Sequence, residues 1–139
     1  MTSHETVVTE SERETFALGE RLAQTLQPGT FVLLHGDLGS GKTAFVRGLA
    51  SGLGIDPAEV SSPTFVLIQH YRGRVPLTHV DLYRLEAPAA VDDLGLEELA
   101  AGGVLAVEWA ERMPRTIEGS VTVRIEDAGG DSRRITIDY

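Results

Sequence analysis

The 139-residue sequence contains no cysteine, and its only lysine is Lys42. Without cysteine the chain can form no disulfide framework, no thiolate metal site and no cysteine nucleophile. It has no apolar run of the ~18 residues that a membrane helix needs, and its first thirty residues lack the apolar core of a signal peptide. We therefore expect a cytoplasmic protein that does not engage a membrane.

Basic residues are scarce, with 12 Lys+Arg against 21 Asp+Glu and a formal net charge of -9. Nucleic acids and anionic membranes favour basic surfaces, so the charge argues against direct binding of either. The 42% hydrophobic and 24% charged residues are typical of a soluble globular protein. The length predicts a single domain over residues 1–139, too short for a catalytic domain plus a substrate domain.

Helix and strand signals alternate along the first half of the chain. The segment Ser11-Glu12-Arg13-Glu14 has the spacing of a capping box, and the apolar period after it predicts a helix that Pro28-Gly29 ends. The run from Thr30 to His35 is apolar on both faces, which is typical of a strand buried in a parallel sheet. A second helix is predicted over about Lys42 to Leu53.

Strand signals dominate the second half. We predict strands over 65–68, 75–82 and 104–107, and one or two short helices over 88–101. Apolar and polar residues alternate on both sides of Gly129-Gly130, which predicts an antiparallel hairpin with one face on the core. The predicted fold is therefore α/β, with a mostly parallel sheet, flanking helices and an antiparallel C-terminal hairpin at its edge.

A glycine-rich motif joins the first buried strand to the second helix. It matches the full phosphate-loop pattern G-x-x-x-x-G-K-[ST] with Gly36, Asp37, Leu38, Gly39, Ser40, Gly41, Lys42 and Thr43. Such glycines let backbone amides converge on an anion at a helix N-terminus, Lys42 supplies a compact charge, and the Thr43 hydroxyl can ligate magnesium. A glycine turn that caps a helix is the alternative, but the strand before and the helix after favour a nucleoside triphosphate site.

Two acids lie where magnesium bound to the phosphates would need them. Asp81 follows one apolar strand and Glu108 follows another, at the carboxyl ends expected to face the phosphate loop. We expect Asp81 to be a magnesium partner and Glu108 to be a metal ligand or an acid that orients water. The spacing leaves open which of them contacts the metal directly.

Other candidate residues have weaker signals. The hydroxyl-rich segment 61–65 is either a turn or a switch that senses the third phosphate. Trp109 is an anchor or a nucleotide contact, whereas His35, His70 and His79 lack metal-ligand spacing and are expected to be structural or edge residues. The acidic stretch 86–111 is interpreted as a solvated face, with a docking surface for a basic partner as the alternative.

None of the arginines near that stretch has the context of an arginine finger; they are Arg72, Arg74, Arg84, Arg112 and Arg115. A phosphate-binding domain without a finger is expected to hydrolyse nucleotide slowly until a partner completes its site.

Five segments together resemble the TsaE family (also called YjeE), the ATPase of the bacterial pathway that makes threonylcarbamoyladenosine in tRNA. They are Leu18-Gly19-Glu20-Arg21-Leu22-Ala23, the phosphate loop, Ser62-Pro63-Thr64-Phe65, His79-Val80-Asp81-Leu82-Tyr83-Arg84-Leu85 and Val107-Glu108-Trp109. The resemblance implies a P-loop NTPase-like fold with an ATP/ADP-magnesium site. It also implies TsaB and TsaD as partners, with tRNA reached only indirectly through their complex.

The resemblance also implies roles for individual residues. Lys42 would be the phosphate lysine, Thr43 and Glu108 metal ligands, and Asp81 the second essential acid. Trp109 would lie against the nucleotide, and Glu12 and Arg134 would be further nucleotide contacts.

Two other functions remain open at this stage. A small-molecule kinase uses the same phosphate loop, but the rest of the sequence offers no arginine-rich lid. A nucleotide-sensing module would bind ATP as a signal, and its hydrolysis would be incidental.

Overall fold

The computed structural model describes residues 4–36, 41–60, 68–82, 95–110 and 119–139. In chain order its elements are β1 His4–Thr9, α1 Glu12–Ala23, β2 Phe31–His35, α2 Lys42–Gly52, a 3-10 turn Pro57–Glu59, β3 Ile68–Tyr71, β4 Leu77–Asp81, α3 Leu96–Ala100, β5 Val104–Glu108, β6 Val121–Gly129 and β7 Ser132–Asp138. Strands and helices alternate in the first half, and the last two strands, β6 and β7, form a hairpin. The predicted α/β class is confirmed.

Within the described residues seven strands form one sheet, in the order β1-β7-β6-β2-β5-β4-β3. The contacts β6–β2, β2–β5 and β5–β4 are parallel, whereas β1–β7, β7–β6 and β3–β4 are antiparallel. The hairpin of β6 and β7 is antiparallel as predicted, but it is not the edge of the sheet. The N-terminal strand β1 covers β7 and takes the edge position itself.

The sheet buries both of its faces in the parallel region. One face packs against α1 and α2 through alternate strand residues such as Val32, Leu34 and Ala106. Phe31, Leu105 and Val107 are among the apolar residues that cluster with α3 on the opposite face. Apolar runs on both faces are what a strand between two helical layers requires, so the sequence pattern and the architecture agree.

Helices α1 and α2 begin where their sequence signals place them. The Ser11 side chain accepts a hydrogen bond from the Glu14 backbone N–H at 3.2 Å, as a capping box requires. The Glu14 carboxylate reaches back to the backbone N–H of Glu10 at 2.8 Å, one residue earlier than the ideal box. Helix α2 starts directly after Gly41, whose φ of 105° is a left-handed conformation suited to glycine.

The predicted strand over 65–68 is described only at its last residue. Strand β3 spans Ile68–Tyr71, and residues 65–67 of the prediction lie outside the described residues. The strand continues beyond the predicted end at Ile68, because Ile68 is opposite Val80 and Tyr71 is opposite Leu77, which brings β3 up to the turn at 72–74. Strand β4 is shorter than the predicted 75–82, and residues 88–94 of the predicted helices also lie outside the described part.

Candidate active site

The carboxyl ends of the parallel strands bring two acids side by side. In the register of β4 and β5, Asp81 is directly opposite Glu108, and Glu108 is also opposite Leu34 of β2. The glycine-rich motif leaves β2 at this same edge, and α2 begins beyond it. Parallel strands therefore place both predicted acids next to the start of the phosphate-loop helix, which is the usual ligand position in open α/β sheets.

Lys42 is buried at the first turn of α2, with 6% of its surface exposed. Its Nζ has no hydrogen-bond partner among the residues that the structure describes. The same atom lies 4.3 Å from the centroid of the Trp109 ring, where a cation–π contact holds it. Burial of an ammonium that lacks a hydrogen-bond partner among the described residues is costly, so Nζ is suited to receive an anionic partner.

A cavity of about 270 Å³ opens at this edge. Its walls include Glu12, Thr15, Gly41, Lys42, Thr43, Ala44, Arg47, Asp81, Glu108, Trp109, Asp131 and Arg133. Seven residues singled out from the sequence are thus brought together: Glu12, Gly41, Lys42, Thr43, Asp81, Glu108 and Trp109. Gly36 is described but does not line the cavity, and positions 37–40, which hold Asp37, Leu38, Gly39 and Ser40, lie outside the described residues.

Arg134 is exposed on β7 and does not line the cavity, whereas its neighbour Arg133 does. The Arg133 Nε lies 3.8 Å from the position that a Cβ on Gly41 would occupy. The alternation of β7 explains the difference, because Ile135 is buried against the layer of α1 and α2 and Arg133 shares its face. The sequence already showed Arg133 two residues before an apolar strand residue. That spacing would have favoured Arg133 over Arg134 as the residue facing the cavity.

A buried histidine contacts one of the acids. His79 Nε2 and Glu108 Oε2 are 2.7 Å apart, and the two residues are 1% and 6% exposed. The lack of metal-ligand spacing predicts only a structural or edge role for His79, and its partner Glu108 is distant in the sequence. His79 lies two residues before Asp81 in the same strand, so the two side chains share one face of β4. This spacing could have predicted that His79 lies near the acids.

The donors at this edge suit magnesium. The Thr43 hydroxyl and the Asp81 and Glu108 carboxylates line one cavity beside Lys42. Among the described residues there is no group of three or more His, Cys, Asp or Glu side chains that could hold a metal alone. Magnesium is usually held by one or two carboxylates together with substrate phosphates, so this donor set fits a metal that arrives with a nucleotide.

The remaining candidates are spread over the structure. Arg72 is exposed, and Arg74 donates to the Gly52 carbonyl at 2.6 Å. His70 is exposed on β3 and shares a hydrogen bond with Thr78 at 3.1 Å, whereas His35 is half-buried at the end of β2. The segment 61–65, most of the acidic stretch 86–111, and the arginines Arg84, Arg112 and Arg115 lie outside the described residues.

Comparison with known proteins decides the family. The family model of the threonylcarbamoyl adenosine biosynthesis protein TsaE matches residues 9–135. The chain belongs to the TsaE family.

Relatives and a solved structure agree with this membership. The tRNA threonylcarbamoyladenosine biosynthesis protein TsaE of Treponema pallidum is 40% identical over 94% of this chain and 97% of its own. The protein of the same name from Bacillus subtilis is 43% identical over 92% and 81%. The crystal structure of Bacillus subtilis YdiB aligns with a TM-score of 0.76 at 35% identity, over 99% of this chain and 86% of that one.

None of the described helices combines the length and the apolar character needed to span a membrane.

Proposed function

We propose that this chain is a magnesium-dependent ATPase of the cytoplasm that supports the transfer of threonylcarbamoyl to adenosine of tRNA by TsaB and TsaD type proteins. Membership of the TsaE family supports the pathway. The observation that carries the nucleotide site is the buried Lys42 Nζ, which has no hydrogen-bond partner among the described residues and lies in a cavity with two carboxylates.

Binding begins at the start of α2. The backbone amides of the first helical turn and the Lys42 ammonium would receive the phosphates, with Lys42 exchanging the Trp109 face for phosphate oxygens. Thr43 and at least one of Asp81 and Glu108 would hold magnesium, which neutralises charge on the phosphates when bound. The acid that does not contact the metal directly can accept a proton from the attacking water or orient it.

Three further cavity residues are proposed to contact the nucleotide. Glu12 of α1 and Trp109 beyond β5 line the walls, and Arg133 of β7 lies there in the place expected of Arg134. Arg133 donates to the Gly130 and Ser132 carbonyls at 2.9 and 2.8 Å, so the hairpin itself holds its guanidinium near Gly41. This arrangement supports Arg133 as the arginine contact.

ATP hydrolysis is proposed to support the partner proteins that modify tRNA, because the net charge of -9 disfavours direct binding of this chain to tRNA. The test is a reconstitution with purified TsaB and TsaD type proteins, tRNA, ATP and a threonylcarbamoyl donor, with and without this chain. Mass spectrometry of tRNA nucleosides counts the modified adenosines formed per complex. We expect repeated turnover only with the chain present.

Matched variants make the experiment specific. Lys42→Met should lower ATP turnover by about a hundredfold and remove the repeated cycles, because it deletes the charge that meets the phosphates. Arg124→Met is the control, since Arg124 is exposed on β6 and lies outside the cavity lining.

Two outcomes would favour the alternative functions. Transfer of the phosphoryl group to a metabolite would indicate a kinase instead. Full modification with Glu108→Gln, if that variant binds ATP but does not hydrolyse it, would indicate a nucleotide sensor.

A further inference from the structure

The buried contact between His79 and Glu108 has no role in the function proposed so far. His79 is 1% exposed, Glu108 is 6% exposed, and Nε2 lies 2.7 Å from Oε2. We propose that His79 is a positioning residue for Glu108, holding one carboxylate oxygen so that the other faces the magnesium nucleotide. This inference rests on the proposed function, because it concerns the work of Glu108 at that ligand.

The two strands fix the geometry of the pair. His79 and Asp81 share one face of β4, and the register places Ala106 opposite His79 and Glu108 opposite Asp81. The small Ala106 side chain leaves room for the Glu108 carboxylate to meet the imidazole two positions away on the neighbouring strand. Both strands lie inside the sheet, so their backbone pairing holds the two residues in register.

The hydrogen-bond pattern indicates which imidazole nitrogen carries the proton. Nδ1 of His79 has no hydrogen-bond partner among the described residues. A proton there would be a buried, unpaired donor, whereas a proton on Nε2 is donated to Glu108. Nε2 of His79 is therefore the donor of the pair, and it satisfies one oxygen of the buried Glu108 carboxylate.

Loss of the His79 donor should weaken magnesium binding more than phosphate binding. A glutamate side chain has three rotatable bonds, and a partner that fixes its carboxylate raises the fraction of molecules with the correct orientation. Removing groups that orient metal ligands commonly lowers metal affinity or activity by about 10- to 100-fold. Lys42 and the start of α2 would still bind phosphates without His79.

The test compares two amide variants of His79. The glutamine of His79→Gln can place its amide N–H near the position of Nε2, whereas the asparagine of His79→Asn reaches only to the position of Nδ1. Calorimetry measures ADP affinity with magnesium and with EDTA, and steady-state kinetics give kcat and KM for ATP. His70→Asn is the matched control, because His70 is exposed and lies outside the cavity lining.

We expect His79→Asn to lose about tenfold or more of the magnesium-dependent gain in ADP affinity while its affinity in EDTA changes less than about twofold. His79→Gln should recover most of the loss, and kcat should fall more than KM rises. Combining His79→Asn with Glu108→Gln should add little to the Glu108→Gln loss, because both changes disable the same carboxylate.

Two results would overturn this inference while leaving the proposed function intact. One is a normal magnesium response in His79→Asn when Glu108→Gln impairs it, and the other is full additivity of the two changes. An unaltered magnesium response in Glu108→Gln would instead overturn the proposed role of Glu108, and the inference with it. The wild-type protein supplies a test that needs no folded variant: NMR of 15N-labelled histidine should find a proton on His79 Nε2, and an unprotonated Nε2 would contradict the proposal.

Discussion

Gly48 shows how one missing side chain brings the two helices behind the site together. A Cβ at this position would lie 1.9 Å from the Phe16 carbonyl oxygen and 2.8 Å from the carbonyl carbon. Both atoms belong to the backbone of α1, so a rotamer change cannot relieve the overlap. The close approach of α1 to α2 therefore depends on this glycine, and α2 carries Lys42 and Thr43 into the cavity.

We expect Gly48→Ala to lower the free energy of unfolding by about 3 kcal/mol, because the helices must move apart. In an exposed helix the same change would be stabilising by about 1 kcal/mol, so the sign itself is diagnostic. Urea denaturation followed by circular dichroism measures the difference. Gly102→Ala is the control, since nothing lies within 4 Å of a Cβ there. A neutral or stabilising Gly48→Ala would refute the close approach.

Among the elements, the edge strand β1 is held to α1 and to the last residue of the chain through Glu5. The Glu5 carboxylate accepts hydrogen bonds from Arg21 Nη2 at 2.7 Å and from the Tyr139 hydroxyl at 3.0 Å. These two bonds, that of Arg21 first, lower the pKa of Glu5 below its ordinary value. Burial of the Tyr139 ring, and then its bond to Glu5, raise the pKa of that phenol.

Because the folded-state pKa of Glu5 is depressed, its stabilising contribution is complete above the ordinary glutamate pKa and is lost as the pH falls through the lowered value. Arg21→Gln should therefore raise the pKa of Glu5, as measured by NMR titration. It should reduce stability at about pH 7 by less than about 1 kcal/mol, with the difference vanishing in acid. Tyr139→Phe should raise the same pKa by less. An unchanged Glu5 pKa in Arg21→Gln would contradict the ion pair.

Local signals predicted some elements better than others. Helices α1 and α2 and the hairpin of β6 and β7 were predictable, because caps, apolar period and turn glycines act between near neighbours in the sequence. The continuation of β3 to Tyr71 was not, since its register comes from pairing with β4. The contact of His79 with Glu108 also depends on a strand register that single-sequence patterns do not encode.

At the scale of the whole molecule, different parts of the sheet supply different residues of the cavity. The parallel strands β2, β5 and β4 present Asp81 and Glu108 at their carboxyl ends, and α2 brings Lys42 to the same edge. The hairpin of β6 and β7 extends the sheet, and β7 contributes Arg133 to the cavity. Residues far apart in the sequence thus meet at one edge, where an acidic chain presents its only lysine.

Lys42 is proposed to receive the phosphates of ATP, and reductive methylation tests this contact directly. Lys42 and the N-terminal amine are the only amines available for modification, so each protein molecule carries its own internal reference. Mass spectrometry should show saturating Mg-ATP slowing the methylation of Lys42 at least about tenfold, with the N-terminal amine unaffected. Equal methylation of Lys42 with and without Mg-ATP would contradict the account.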